Sequence, residues 1–320
     1  MQIPKTIVVT GCAGFIGSNF VQRFHERYPK THIVGIDDLS TGRRDAVSPH
    51  ITFVKGSILN ETLIEKTFAQ HKPDYVFHFA ALPRVAYSLQ FPRKSSEVNM
   101  LGTVTVLDAA RRHGVKRVMY SSSSSVYGTA RKFPTTEREN MPNPQSLYAL
   151  QKYTGEHLCR LFSSLYGLDT VSLRYFTVFG PGQYGDAAYA TVICAWLESV
   201  YFPTHKKAFI EGNGTQSRDF CYIDNVVAAN ILAMEKQGAL NGEVFNIAHG
   251  DNTSLNTLRA HIERLTGRSL AFEKRPSRVG DVRKTAADIK KARRVLGYRP
   301  TVDLEEGLRR TIAWFESRKR

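Results

Sequence analysis

The segment KTIVVTGCAGFIG near the start of the chain leaves little freedom for what surrounds it. Thr6 to Thr10 form an apolar, β-branched run, and Gly11, Gly14 and Gly17 follow at G-x-x-G-x-x-G spacing before a helical pattern. A strand without polar alternation needs cover on both faces. Glycines directly behind it permit a tight turn into a helix. The first N–H groups and positive dipole end of that helix make a site for a pyrophosphate. The spacing is one residue wider at its start than G-x-G-x-x-G, and the physics is the same.

The same alternation continues. HIVGIDD, ITFVKGS, PDYVFHFAA, VKRVMYSS and DTVSLRYF read as buried strands. Between them lie helical patterns at Ser18–Tyr28, Glu61–Gln70, Val98–His113 and Tyr148–Tyr166. This predicts an α/β fold, a doubly wound parallel sheet of the Rossmann kind with right-handed crossovers. After Phe179 the pattern loosens into a Gly/Pro-rich stretch, helical patterns at Ala188–Tyr201 and Ile223–Lys236, and short strand signals. The expected division is residues 1–179 as the dinucleotide-binding domain and 180–320 mainly as a smaller α/β substrate lobe, with chain crossings back to the sheet allowed.

Charge narrows the partners. Lys+Arg total 44 against 29 Asp+Glu, a net +15, and residues 268–320 hold 16 basic and 7 acidic residues, or +9. An anionic partner follows. The tail has no basic run interleaved with aromatics, so a non-catalytic nucleic-acid-binding protein is the distant alternative and no nucleic acid is expected. Cys12, Cys159, Cys194 and Cys221 lack CxxC spacing, so neither a metal site nor a disulfide framework is expected. No apolar run reaches membrane-spanning length and the start does not resemble a signal peptide; no membrane partner and a cytoplasmic location are the expectations.

Candidate site residues fall at the carboxyl ends of the predicted strands. Asp37 ends the second strand, where an acid accepts both adenosine-ribose hydroxyls and disfavours a 2′-phosphate, predicting NAD over NADP despite Arg43 and Arg44 nearby. Ser57 and Ile58 follow the third strand; Ala80, Ala81 and Leu82 follow the fourth. Tyr148 and Lys152, four apart, share a helix face, and an ammonium near a phenol favours phenolate. The run Ser121–Ser125 places hydroxyls at the end of the fifth strand, able to hold a substrate oxygen beside the tyrosine.

In this order, these motifs identify the chain as resembling the extended short-chain dehydrogenase/reductases of the nucleotide-sugar epimerase/dehydratase type. Within them it is most similar to bacterial UDP-N-acetylglucosamine 4-epimerases. TGCAGFIG, DDLSTG, HFAALPRV, VNMLGT, SSSSSVYG, YALQK, LRYFTVFGPG, SRDFCYIDN and RVGDVRKTAAD carry the resemblance. It implies Ser123, Tyr148 and Lys152 as catalytic residues: Tyr148 the base, Lys152 its pKa tuner and a ribose ligand, Ser123 the holder of the C4 oxygen. It implies NAD contacts at Gly11, Gly14, Phe15, Ile16, Gly17, Asp37, Asp38, Ser40, Gly42, Ser57, Ile58, Ala80, Ala81, Asn99, Tyr148, Lys152, Tyr175 and Val178. It implies UDP-sugar contacts at Arg84, Ser123, Thr177, Phe209, Arg218, Arg278, Asp281 and Thr285. Thr177 stands where the family usually has Asn, and Ser57 where an Asp is common.

The implied reaction is reversible C4 epimerisation of UDP-GlcNAc/UDP-GalNAc through a 4-keto sugar. The acidic pair or Glu that dehydratases and decarboxylases carry before Val-Tyr-Gly is replaced by Ser124 and Ser125. Thr285 falls at a gate whose small side chain leaves room for an acetamido group. UDP-glucose/UDP-galactose and UDP-glucuronate 4-epimerases are the alternatives. The resemblance further implies a homodimer built on Val98–His113 and Tyr148–Tyr166, and a role in polysaccharide supply.

Overall fold

The computed structural model describes residues 3–130, 132–184, 191–203, 208–276 and 283–318. β1 (Thr6–Thr10), β2 (His32–Asp37), β3 (Thr52–Lys55), β4 (Tyr75–His78), β5 (Arg117–Ser123) and β6 (Thr170–Tyr175) form most of one sheet. Its order is β3-β2-β1-β4-β5-β6 and then a seventh strand, with every neighbour parallel. Successive strand residues point to opposite faces, so Ile7 and Val9 enter one core and Val8 the other. The first core receives Phe20 and Phe24 from α1 (Phe15–Arg27), with the Phe20 and Phe77 rings 4.2 Å apart. The second receives Ile64 and Phe68 from α2 (Glu61–His71). Val106, Leu107 and Cys159, from helices further along the chain, complete it. β1 and β4 are adjacent, and the chain winds away from them in opposite directions; this switch point opens a crevice at the carboxyl ends of the strands.

Helix boundaries follow local chemistry. α1 begins three residues earlier than its apolar periodicity, because Gly14 in an extended conformation is its N-cap. The loop after β4 carries two short helices, α3 (Val85–Gln90) and α4 (Pro92–Ser96). Val98–His113 is not one uniform helix: a π-helical turn over Glu97–Leu101 feeds α5 (Gly102–Arg112), turning Asn99 inward. Ser146 caps α6 (Leu147–Tyr166) by accepting from the Ala149 N–H at 3.2 Å.

The second half of the chain both builds a smaller lobe and returns to the sheet. β7 (Val178–Phe179) pairs with β10 (Cys221–Tyr222), β8 (Ala208–Glu211) with β13 (Phe272–Arg275), and β9 (Ser217–Arg218) with β12 (Thr253–Ser254). α11 (Leu304–Ser317) packs on both α7 (Val192–Tyr201) and α9 (Leu255–Thr266). β11 (Glu243–Ile247) is the seventh strand of the large sheet, beside β6, and α10 (Lys290–Leu296) covers it. α8 (Ile223–Glu235) packs on α1. Among the described residues, no helix is long and apolar enough to cross a membrane.

Candidate active site

A cleft of about 680 Å³ lies across the switch point, walled by the β1–α1 turn, the ends of β2, β4 and β5, the start of α6 and residues 175–178. The turn depends on its glycines. Gly11 has φ +72, and a Cβ there would stand 2.6 Å from the Ala80 nitrogen. A Cβ on Gly17 would stand 2.0 Å from the Gly11 carbonyl oxygen. Gly14 differs: the nearest atom to its Cβ, the Gly11 carbonyl oxygen, would be 3.4 Å away, so a methyl there fits the fold at about van der Waals contact, at a position that lines the cleft. No side chain caps α1 and no acid occupies its first turn, which leaves its leading N–H groups for an anion.

Asp37 closes β2, its Oδ2 accepting from the Ala13 N–H at 2.9 Å and its Oδ1 from the Leu39 N–H at 2.8 Å. Burial pushes its carboxyl up, and these two amides pull it back. Gly42 lies so close to Asp37 that a Cβ would meet its Oδ1 at 2.9 Å. Phe15, Ile16, Asp38, Ser40, Ser57, Ile58, Ala80, Ala81, Tyr175 and Val178 all line the cleft. An anion cradle at a helix start, a ribose acceptor 20 residues past Gly17 and an apolar slot at Ile58 fit a bound NAD. When bound, NAD supplies a hydride acceptor and donor.

The expected catalytic residues converge in the same cleft. Tyr148 and Lys152 stand one turn apart on α6 and Ser123 ends β5. The Ser123 hydroxyl lies near enough to the Tyr148 phenol to favour its ionised form, and it accepts from the Ser125 N–H at 3.2 Å, which fixes its rotamer. Burial pushes the Tyr148 phenol up to about 12, and the Ser123 hydrogen bond and the Arg84 charge oppose it. Lys152 is buried beside the same cleft. Its Nζ donates to the Ser121 carbonyl at 2.8 Å and lies 5.1 Å from the Tyr120 ring centre. Burial lowers its ammonium to about 8.

Glu156, two turns beyond Tyr148, is a support that sequence reasoning missed. Its carboxylate takes two bonds from Arg174, at 2.8 and 2.6 Å, and one from the Ser122 hydroxyl. This buried pair locks β5, β6 and α6 together directly behind Ser123. The Tyr148, Lys152, Glu156 spacing was the available signal, since i, i+4 and i+8 share a face.

Other expected contacts lie elsewhere. Asn99 does not line the cleft. It bonds the Leu82 N–H and carbonyl at 2.8 and 3.0 Å and the Gln151 side chain at 2.7 Å, holding the cleft wall from behind. Arg84 and Thr177 do line it. Arg218 and Thr285 are brought together in the smaller lobe. The Thr285 N–H donates to the Ser217 carbonyl at 3.1 Å, and its hydroxyl accepts from the Asp219 N–H at 3.1 Å. Neither belongs to the described cleft wall, and nor does Phe209, which stacks under Arg275 at 4.0 Å. Arg278 and Asp281 lie outside the described residues.

Residues 7–248 match the NAD dependent epimerase/dehydratase family. The UDP-glucose 4-epimerase of Mycolicibacterium smegmatis is 37% identical over 97% of this chain and 98% of its own. A UDP-N-acetylglucosamine 4-epimerase from Methanobrevibacter ruminantium, solved with UDP-N-acetylmuramic acid, superposes with TM-score 0.91 and 33% identity, covering 99% of this chain and all (100%) of that one. The UDP-glucuronic acid 4-epimerase of Bacillus cereus, solved with UDP-glucuronic acid and NAD, gives TM-score 0.87 at 32% identity over 98% and 99% of the two chains. With the glycine turn, the ribose acid and the Ser–Tyr–Lys cluster set around one crevice, this chain belongs to the NAD dependent epimerase/dehydratase family as an NAD-dependent enzyme.

Proposed function

We propose that the protein interconverts the C4 epimers of a UDP-linked hexose, with UDP-N-acetylhexosamine as the leading donor, through a 4-keto intermediate. The observation that carries the reaction type is the convergence of Ser123 and Tyr148 in a cleft whose described acidic lining residues are Asp37 and Asp38 alone. Both acids sit at the ribose end. A dehydration or decarboxylation device beside the sugar is therefore lacking among the described residues, and removal and return of hydrogen at one carbon is what the remaining groups support.

Tyr148 takes the proton of the sugar 4-hydroxyl, and Ser123 bonds the same oxygen and relays that proton. The Lys152 ammonium, tethered to the Ser121 carbonyl, has two further donors for a ribose. Relatives acting on UDP-glucose and UDP-glucuronate keep those donors as the second reading. The acetamido reading rests on the small Thr285, whose hydroxyl is already committed to Asp219.

The test is turnover without added NAD. Purified protein is incubated with UDP-GlcNAc, UDP-glucose or UDP-glucuronate, and the sugar anomeric signals are followed by NMR. Wild type is expected to yield the C4 epimer of at least one donor, and Tyr148→Phe to lower kcat by about 10²–10⁴ while still binding donor. No epimer from any of the three, or full activity in Tyr148→Phe, defeats the assignment.

A further inference from the structure

Arg84 combines two unfavourable features in one residue. Its backbone lies at φ +89, ψ +137, a region L side chains rarely adopt, directly after Pro83. Its guanidinium Nη1 is buried with no hydrogen-bond partner. Among the described residues no carboxylate pairs with it, and the groups its charge meets are Tyr148 and Cys194. A buried guanidinium nitrogen without a partner is costly even on a half-buried side chain, and so is positive φ outside glycine. Neither is needed to build the wall, because Asn99 already holds it through Leu82. Strain of this kind persists where a ligand uses it.

The other basic residues on the cleft wall are otherwise engaged. Lys152 is tied to the Ser121 carbonyl, and Arg43 pairs with Asp45 at the ribose end. The glycine turn and α1 provide for the pyrophosphate of the cofactor. What remains is the sugar end, where Tyr148 marks the reacting C4. A guanidinium beside C4 reaches substituents on C3 and C6. A neutral hydroxymethyl can offer it a single uncharged acceptor, whereas a carboxylate neutralises it and takes two parallel hydrogen bonds.

We propose that Arg84 is a specificity-determining residue that selects UDP-hexoses bearing a carboxylate next to C4, either at C6, as in a hexuronate, or on an ether substituent at C3. The inference rests on the 4-epimerase reading only in taking Tyr148 as the marker of C4. It is compatible with an acetamido group at C2.

Two donor pairs separate the sources of the carboxylate: UDP-glucuronate against UDP-glucose for C6, and UDP-N-acetylmuramate against UDP-GlcNAc for C3. Dissociation constants are measured by calorimetry on the NAD-loaded protein, alongside KM and kcat. In wild type the acidic member of at least one pair is expected to bind about 10- to 100-fold tighter than its neutral partner. Arg84→Gly removes the guanidinium and relaxes the backbone, so folding is retained; in it that ratio should fall towards one. Arg84→Lys should keep part of the preference.

Absence of preference in both pairs overturns the inference, as does a ratio that survives Arg84→Gly. Equal weakening of acidic and neutral donors would place Arg84 on the UDP diphosphate instead, and would also overturn it. Acidic preference in binding without turnover defeats the epimerase assignment alone, and turnover without preference defeats the Arg84 assignment alone.

Discussion

Tyr148 is a base that its surroundings hold back. Burial raises the phenol to about 12, so most of the protein carries it protonated at neutral pH, and the Ser123 hydrogen bond and Arg84 charge reduce the penalty. Both act in the direction of the phenolate. Removing either must move the deprotonation to higher pH. Ser123→Ala is therefore expected to shift the rising limb of the kcat/KM–pH profile upward and to lower kcat by about 10²–10³. A profile that keeps its position in that variant would show that Ser123 does not govern the proton. At this scale the sequence disclosed residue types and order, but not which cation faces which phenol. Lys152 and Tyr148 share a helix face at i, i+4, yet the lysine reaches back to a β5 carbonyl and the opposing cation comes from the loop after β4. No local spacing encodes that exchange.

The β1–α1 turn separates two uses of glycine that look identical in a motif. At Gly17 the constraint is packing, because its Cβ would overlap the Gly11 carbonyl. At Gly14 it is room for a ligand. Gly17→Ala should thus lose about 1–3 kcal/mol of stability, read as a lower Tm. Gly14→Ala should keep its Tm without cofactor and retain less NAD through purification, quantified by chromatography after acid release. Equal stability losses in the two variants would remove the distinction. Elements of the large sheet were legible because strands buried on both faces are uninterrupted apolar runs. β7, β9, β10 and β12 are two residues each and carry no such pattern. Their pairing is fixed only by distant partners. The π turn at Glu97–Leu101 was equally hidden, since its periodicity merges into that of α5.

Over the whole molecule, several of the exposed large apolar side chains gather on one side. Leu101, Val104, Leu161, Leu165 and Tyr166 lie on or beside α5 and α6, at three- and four-residue spacing, and Leu165 is 67% exposed. Helices α5 and α6 pack together, with Arg111 of one over the Tyr166 ring of the other, so these positions form a continuous face. We propose that a second copy of the chain covers it. Light scattering should give twice 36.0 kDa for wild type, and Leu161→Asp with Leu165→Asp should give the single-chain mass while the circular dichroism spectrum stays unchanged. A wild-type monomer would refute this. The net +15 that pointed to anionic partners is only partly accounted for by the cleft, because many of the basic residues of 268–320 are on exposed surface, Arg293 and Arg294 of α10 among them.

β11 gives the architecture a further property. The sequence divides near residue 180 by composition, yet the chain that leaves there for the smaller lobe comes back to lie against β6 before leaving again. The two regions are thus interlaced like the pages of two books shuffled together, not joined by a tether. A lobe sewn in this way cannot be exchanged between relatives as a cassette cut at one junction, since the cut would strip β6 of its neighbour and leave a bare strand margin. Single side chains on the cleft wall, such as an arginine at position 84, can change without disturbing that interlaced frame.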